Sequence, residues 1–469
     1  MAGPTVLIMA AGEGTRMRSS LPKMMHPVCG RPMIAWPVAA AREAGAERVA
    51  VIVSPERDLS GELPDGTETV VQPEPDGTGG AVRAAIPLIR DAERVVVLNG
   101  DHPLVTAAVI QELLDAHDSA GAAATVMSVE RDDADELGRI VRDEAGEFER
   151  IVETKHPEGI PADVLAIREI NTNQFAFASG PLAEALEALG NDNPAGEYYL
   201  GDVLPLIRGA GHRVTAHRTS DLTVNIGVNN RADLARASAI ARERILRDHM
   251  LAGVTITDPA ATWIEADVEI EPDATIEPGC VLRGASRIGA GSTVGPHATL
   301  IDSTLGAGVT VAHSYLCDCD VDDGCSVGPF AYLRPGAHLH EGAKAGTFVE
   351  IKNSDIGEGT KIPHLSYVGD ADVGAGANLG ASTITANYDG FAKNRTKIGQ
   401  RARISIHSSL VAPVTIGDEA YTGAGAVIRE DVPPGALGIT RSEQRNIEGY
   451  AKRKAEEHRG EDTEEDEDE

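Results

Sequence analysis

From Ile270 onward aliphatic residues fall six apart: Ile270, Ile276, Leu282, Ile288, Val294 and Leu300 run without a slip. The beat returns at Leu305 and Val311, at Val321, Val327, Leu333 and Leu339, and at Ile356, Ile362 and Val368. Val373 and Leu379, then Ile398, Ile404, Leu410 and Ile416, carry it on. A parallel β-helix explains this period, because three short faces per coil return every sixth residue to an equivalent inward position. Glycine often follows the aliphatic residue, as in Ile288-Gly289, Val294-Gly295, Val368-Gly369 and Ile416-Gly417, and is expected to permit tight corners. The segment "NYDGFAKNRT" breaks the beat and reads as a loop on the outside of the solenoid, at a binding face.

The first half follows a different grammar. "TVLIM", "RVAVIV", "ERVVVLNGD" and "AAATVMSV" are β-rich, and helical patterns such as "MIAWPVAAAREAGA" and "TAAVIQELLDAHDSA" lie between several of them. The alternation predicts βαβ units and a mainly parallel sheet, with ligands beyond the carboxyl ends of the strands. The loops of "LIMAAGEGTRMR" and "NGDHPL" fall there. Gly12 and Gly14 lack the third glycine of a dinucleotide fingerprint and the Gly-Lys-Ser/Thr ending of a Walker loop. Exposed backbone N–H groups with Arg16 and Lys23 close behind still suit a polyphosphate. Asp101, ending a buried strand, is placed to bind Mg²⁺, although an aspartate after Gly100 equally suits a simple turn.

Composition removes other classes. The chain of 469 residues, 42% apolar with 50 glycines, has room for two or three cores. No apolar run reaches the roughly 18 residues of a membrane span and no signal peptide is evident, which makes a cytoplasmic location the expectation and a membrane role unexpected. A net charge of −31 disfavours nucleic acid as a partner. Five cysteines, Cys29, Cys280, Cys317, Cys319 and Cys325, suit a reducing compartment better than a disulfide framework. "CDCDVDDGC" with His313 nearby looks like a metal cluster, but its residues fall on successive faces of a β-helix without a regular C-x-x-C pair. The expected division is residues 1–229, a helix over 230–251 with Leu234, Ala237, Ala241 and Ile245 on one face, a β-helix over 252–450, and a disordered acidic tail over 451–469.

Between residues 5 and about 450 the motifs occur in a known order. "LIMAAGEGTRM", "LPKMMHP", "GTGGA", "NGDHPL", "GRI", "IVETK", "EINTN", "GEYYLGDV" and "GVNNR" resemble those of sugar-1-phosphate uridylyltransferases. "VGPFAYLRPG", "FVEIKNS", "HLSYVGDADVG", "NYDG" and "LVAPVTIG" resemble the acetyltransferase half of one bacterial family, the bifunctional N-acetylglucosamine-1-phosphate uridylyltransferase/glucosamine-1-phosphate N-acetyltransferases. The resemblance implies an α/β nucleotidyltransferase domain with a Rossmann-like, mainly parallel sheet, and a left-handed parallel β-helix of hexapeptide repeats. It implies UTP and acetyl-CoA as co-substrates, Mg²⁺ as cofactor, a homotrimer with shared acetyl sites, and a product used for the cell envelope.

Roles follow position by position. Met9, Ala10, Ala11 and Gly12 would cradle the uracil and ribose side, Arg16 and Lys23 the phosphates, and Gln72, Gly77 and Thr78 the base. Asn99 and Gly100 belong to the same pocket. Asp101 and Asn229 would hold Mg²⁺, and Gly138, Glu153 and Asn171 would contact the sugar. In the β-helix His364 matches the general base, a role that its residue type alone does not establish. Arg334, Lys352, Tyr367 and Asn378 match the sugar-phosphate site. Ala381, Asn387, Tyr388, Ala424 and Arg441 match acetyl-CoA and substrate contacts, and Lys393 shares the inserted loop.

Five positions depart from the family pattern. Asn173 replaces a glycine, and asparagine tolerates left-handed backbone angles. Gly201 replaces a threonine. Glu13 puts a carboxylate in the nucleotide loop. Ser405-Ile406 replaces Gly-Ser and removes a hydroxyl offered to acetyl-CoA. Two rival readings remain open at this point: a uridylyltransferase whose β-helix serves assembly or regulation, and a non-catalytic solenoid scaffold.

Overall fold

The computed structural model describes every residue except 1–2, 13, 57–58, 60, 135–136, 155–156, 193–195, 442 and 457–469. Glu13 and most of the acidic tail therefore lie outside the described residues; residues 451–456 of that tail are helical and exposed. By contacts the chain divides into two units, residues 1–269 with 281–286, and residues 270–280 with 287–469.

The first unit is built on a mixed sheet. Its main strands are β1 (Thr5–Met9), β2 (Arg48–Val53), β3 (Glu68–Val71), β4 (Arg94–Asn99), β5 (Ala124–Glu130), β6 (Glu169–Ala178) and β7 (Val214–Arg218), in the spatial order β7-β5-β6-β4-β1-β2-β3, and the antiparallel pair Arg139–Arg142 and Phe148–Val152 joins off this path at β6. All neighbours run parallel except β6, antiparallel to both β4 and β5. The apolar runs are buried on both faces, as a sheet covered by helices requires. Met9 pairs with Asn99, so the loops after β1 and β4 leave the same edge side by side.

The helix Arg231–Leu251 is the one predicted over 230–251, with Asn230 Oδ1 capping the N–H groups of Ala232 and Asp233. Ala237 and Ala241 pack into the first unit's core, and Arg244 donates to the Leu104 carbonyl at 2.8 Å. The helix is thus an integral part of that unit and not only a connection. Trp263–Ile264 pairs with Val281–Arg283 within the same unit, and Ala266 N–H donates to the Cys29 carbonyl at 2.9 Å. These contacts explain why compactness places the division after 269, whereas the sequence places it at 251.

The second unit is a β-helix in which each coil gives one strand to each of three parallel sheets. Ile276, Val294, Val311 and Val327 stack in one column, Leu300, Leu316 and Leu333 in a second, and Ile288, Leu305, Val321 and Leu339 in a third. Every aliphatic residue of the sixfold beat except Ile270 is at most 3% exposed. The glycine expectation holds only in part: of the four glycines quoted, Gly295 takes a positive φ, 112°. Gly289 and Gly417 have ordinary backbone angles; a Cβ on either would strike the backbone of the next coil, so close coil stacking requires them. Left-handed corners are taken both by glycines, among them Gly291, Gly308 and Gly324 at φ of 67°, 64° and 64°, and by larger residues, among them Phe330, Phe348 and Leu365 at φ of 60°, 56° and 51°. The "NYDGFAKNRT" segment does project outward, with Phe391 at its tip 98% exposed and its backbone held by Asp389 Oδ1.

Candidate active sites

In the first unit, residues far apart in sequence meet at the edge where β1 and β4 end. Lys23 is buried, and its Nζ lies 2.6 Å from Asp101 Oδ2 and 3.2 Å from Asn229 Oδ1. Arg16 donates to the same Asn229 oxygen at 2.9 Å. Asn229 is positioned by its own N–H bonding Asp233 Oδ2 at the start of the long helix. Gly14 has φ of 66°, and a Cβ there would lie 2.5 Å from Lys23 Cβ, so only glycine lets the loop close over the lysine. Apart from its chain neighbours, no atom of the described residues lies within 4 Å of the Cβ position of Gly12, which leaves that side of its backbone open. Burial works to raise Asp101, but the charges of His102 and Lys23, with the Lys23 hydrogen bond, hold its carboxyl below the ordinary range. The Asp101 and Asn229 oxygens converge on one cationic group, and such a hard-oxygen pair fits Mg²⁺.

Flanking residues are more committed than their expected roles suggest. Buried Gln72 donates through Nε2 to Asp76 Oδ1 and the Gly77 carbonyl. Thr78 Oγ1 accepts from Leu200 N–H at 3.0 Å, and Gly79 N–H bonds the Tyr198 carbonyl at 2.7 Å, so "GTGGA" and "GEYYLGDV" are docked together. A Cβ on Gly77 would lie 2.6 Å from the Tyr198 carbonyl. On the sugar side, Asn171 N–H donates to the Gly138 carbonyl at 2.8 Å, and Glu153 stands against Gly138. The protein mass around Glu153, whose side chain keeps an open face, raises its carboxyl, and Asp202 adds to the effect. Asn173 is at φ of 57°, the left-handed region expected for the glycine that it replaces, and its N–H bonds Asn171 Oδ1 at 2.8 Å. Gly201 has only Ile151 near, with Cδ1 at 3.9 Å from a Cβ position. A cleft of about 830 Å³ joins Asn171 and Asn229. His102, Arg131 and Asn225 also line it; "NGDHPL" contains the first, but nothing in the pattern signals the other two.

In the β-helix one corner carries a column of expected residues. Lys361 pairs with Asn378, Asn378 with Arg403, and Arg403 with Tyr421, so His364, Ala381, Ile406 and Ala424 stand one above another in successive coils. The His364 side chain is exposed. Ala381 and Ile406 carbonyls accept from His407 and Gly425, keeping the column tight. Arg441 follows the next coil and is exposed.

A second set gathers around Asp370. Arg334 stands over Lys352 in the next coil, and Lys352 Nζ lies 3.2 Å from Asp370 Oδ1. Asn353 and Asn387 also donate to Asp370, at 2.6 and 2.5 Å. Burial acts to raise Asp370, and these three donors keep it ionised below its ordinary range. Lys393, brought in by the inserted loop, faces Lys352, whose bond and charge push the exposed ammonium down. Arg334 donates to Glu350 at 2.8 Å. Asn387, expected at acetyl-CoA, here also reaches the Tyr367 hydroxyl at 3.3 Å, while Tyr388 bonds the Gly390 carbonyl within the loop. No recorded contact among the described residues joins His364 to Arg334, Lys352 or Tyr367.

Two family models match the halves: a MobA-like NTP transferase domain over residues 6–203 and six bacterial transferase hexapeptide repeats over 267–302. The bifunctional protein GlmU of Streptomyces avermitilis is 46% identical over 96% of this chain and 94% of its own. That of Kineococcus radiotolerans is 46% identical over 95% of this chain and 91% of its own. The chain belongs to the bifunctional GlmU family. The Brevibacillus brevis GlmU, at 45% identity over 95% of this chain and 96% of its own, shows that the likeness spans both units. Within this GlmU-family chain two cysteines of the cluster are enclosed by the wall. Cys319 and Cys325 are buried, their thiols pushed up by burial to about 12 and about 11, and poorly disposed to bind metal as thiolates. Among the described residues no helix is long and apolar enough to cross a membrane.

Proposed function

We propose that this GlmU-family chain N-acetylates glucosamine-1-phosphate in its β-helix and uridylylates the product in its first unit, yielding UDP-N-acetylglucosamine for peptidoglycan and other envelope polymers. The observation that carries the two-reaction reading is the gathering of Arg334, Lys352 and Lys393 around Asp370. Three cations suit a sugar phosphate dianion, and an inert scaffold has no use for them. In the first reaction the glucosamine amine attacks the thioester carbonyl of acetyl-CoA. His364 takes the amine proton as the C–N bond forms, the C–S bond breaks and the coenzyme A thiolate leaves. Ala381, Ile406 and Ala424 extend from His364 as the surface against which acetyl-CoA lies.

In the second reaction an oxygen of N-acetylglucosamine-1-phosphate attacks the α-phosphorus of UTP in line and pyrophosphate leaves. Met9 to Gly12 present backbone to the nucleoside, and Gln72, Gly77 and Thr78 shape the base pocket. Lys23 and Arg16 neutralise the charge that builds on phosphate oxygens, and Gly138, Glu153 and Asn171 seat the sugar. Asp101 and Asn229 would hold Mg²⁺, which supplies further neutralisation of the triphosphate when bound.

A homotrimer and a cytoplasmic setting, where UTP and acetyl-CoA are made, complete the reading. Phe330 and Phe348 stack at 5.4 Å yet are 54% and 57% exposed, beside Leu365 at 55%. An exposed apolar stripe of this kind is what subunit association covers. Sedimentation of the full chain is expected to give a trimer; a monomer at micromolar concentration would refute that part.

The test of the whole is synthesis of UDP-N-acetylglucosamine from glucosamine-1-phosphate, acetyl-CoA, UTP and Mg²⁺. Pyrophosphate release from UTP and N-acetylglucosamine-1-phosphate, without thiol release from acetyl-CoA and glucosamine-1-phosphate, would favour a uridylyltransferase alone. Two substitutions refine it. Gly14→Ala is expected to displace Lys23 and lower uridylyl kcat/KM about tenfold or more while acetyl transfer is unchanged. Ile406→Ser, restoring a hydroxyl, is expected to lower KM for acetyl-CoA about 2- to 10-fold at constant kcat, the worth of one neutral hydrogen bond.

A further inference from the structure

We infer that the outer face of the solenoid carries a transition-metal site formed by Asp322, His338 and His340, with Asp355 as the carboxylate behind both imidazoles. His338 lies in the strand His338–Leu339 and His340 directly follows it, on either side of inward Leu339, their rings 4.0 Å apart between centroids. Asp322 comes from the preceding coil: its Oδ1 lies 3.1 Å from His338 Nε2 and its Oδ2 lies 3.2 Å from His340 Nδ1. All three ligand atoms fall within 4.8 Å of one another. In a tetrahedral site with arms of about 2.0–2.1 Å, ligand atoms sit roughly 3.3 Å apart. Each imidazole nitrogen stands about that far from one or the other oxygen of Asp322, and the half-exposed face leaves a position for water.

The opposite nitrogens carry the argument further. Asp355, from the following coil, places Oδ1 at 3.0 Å from His340 Nε2 and Oδ2 at 3.9 Å from His338 Nδ1. A neutral imidazole has one N–H. With Asp355 against His340 Nε2, the Nδ1 atom is turned toward an Asp322 oxygen at 3.2 Å, the two atoms that would share the ion. A carboxylate fixing the far nitrogen is the arrangement that orients metal-ligating histidines. Two nitrogens and one oxygen favour Zn²⁺ or a similar ion over Mg²⁺. Such an ion clips two consecutive coils together, braced by Asp355 from the third, at a place separate from the Asp370 cluster and from buried Cys325, whose thiol points to the His340 carbonyl inside the wall.

The experiment uses the full chain, stripped with chelator and dialysed against Zn²⁺ in a large excess of Mg²⁺, with bound zinc counted and thermal unfolding followed. The expected result is a single Zn²⁺ per chain and a raised Tm, both lost in the double variant His338→Ala/His340→Ala. Asp322→Asn, nearly isosteric, guards against misfolding of the double variant and is expected to lose most of the affinity, while Asp355→Asn weakens binding about 10- to 100-fold. Co²⁺ in place of Zn²⁺ is expected to give a visible spectrum without thiolate charge transfer, unchanged by Cys317→Ser. Acetyl and uridylyl transfer should be the same with and without zinc. No bound zinc, equal zinc in wild type and variants, or a thiolate signature with Co²⁺ overturns the inference.

Discussion

Replacing His364 by alanine is expected to lower acetyl transfer about 10²- to 10⁴-fold, the usual contribution of a positioned general base, while uridylyl transfer proceeds at the wild-type rate. Because His364 is exposed at a corner and outside the aliphatic columns, its removal should leave the coil stack and Tm unchanged. Thiol release from acetyl-CoA, measured at saturating glucosamine-1-phosphate, separates this effect from binding: kcat should fall while the KM values move little. Retention of more than a tenth of the rate would remove His364 from the base role. Loss of both activities would mean that the substitution damaged the whole chain and not the chemistry.

The second large effect is at Lys23. Lys23→Ala is expected to cost about 10²- to 10³-fold in uridylyl kcat, as does loss of one preorganised group that meets developing charge. It should also change the acid behaviour of the first unit. Asp101 is held below its ordinary value partly by Lys23, so it contributes stability that is present above the ordinary carboxylate range and lost as pH falls through the depressed value. Without Lys23 the Asp101 carboxyl titrates higher. The acidic limb of uridylyl activity should move to higher pH, and acid unfolding should begin earlier, while acetyl transfer keeps its profile. An unshifted acid limb would show that Asp101 and Lys23 do not act as a pair in solution.

Much of this was legible in the residues themselves. The sixfold beat identified the inward columns, and the strand-to-helix alternation identified the sheet whose loops bear Lys23 and Asp101. The left-handed angle at Asn173 follows from the residue type that asparagine replaced. Other features left no local trace. Arg131 and Asn225 enter the cleft from segments without a motif, and Thr78, expected at the base, spends its hydroxyl on Leu200. Gly289 and Gly417 were understood for the wrong reason, because a close approach between coils involves two segments and a local pattern reports on one.

What the sequence determined by itself is periodic and local: which side chains face inward, where the long helix begins at Asn230, and which loops leave the carboxyl ends of strands. Burial of apolar side chains enforces these features wherever the period holds. Only the tertiary structure decided which distant residues meet. His364, Ala381, Ile406 and Ala424 form one column although the inserted loop lengthens one coil, and a period cannot say in which register the chain re-enters after a loop. The same holds for Asp322, His338, His340 and Asp355, and for Asn229 at Lys23. Hydrogen bonds between coils and strands set those registers, and that pairing is a property of the folded chain as a whole.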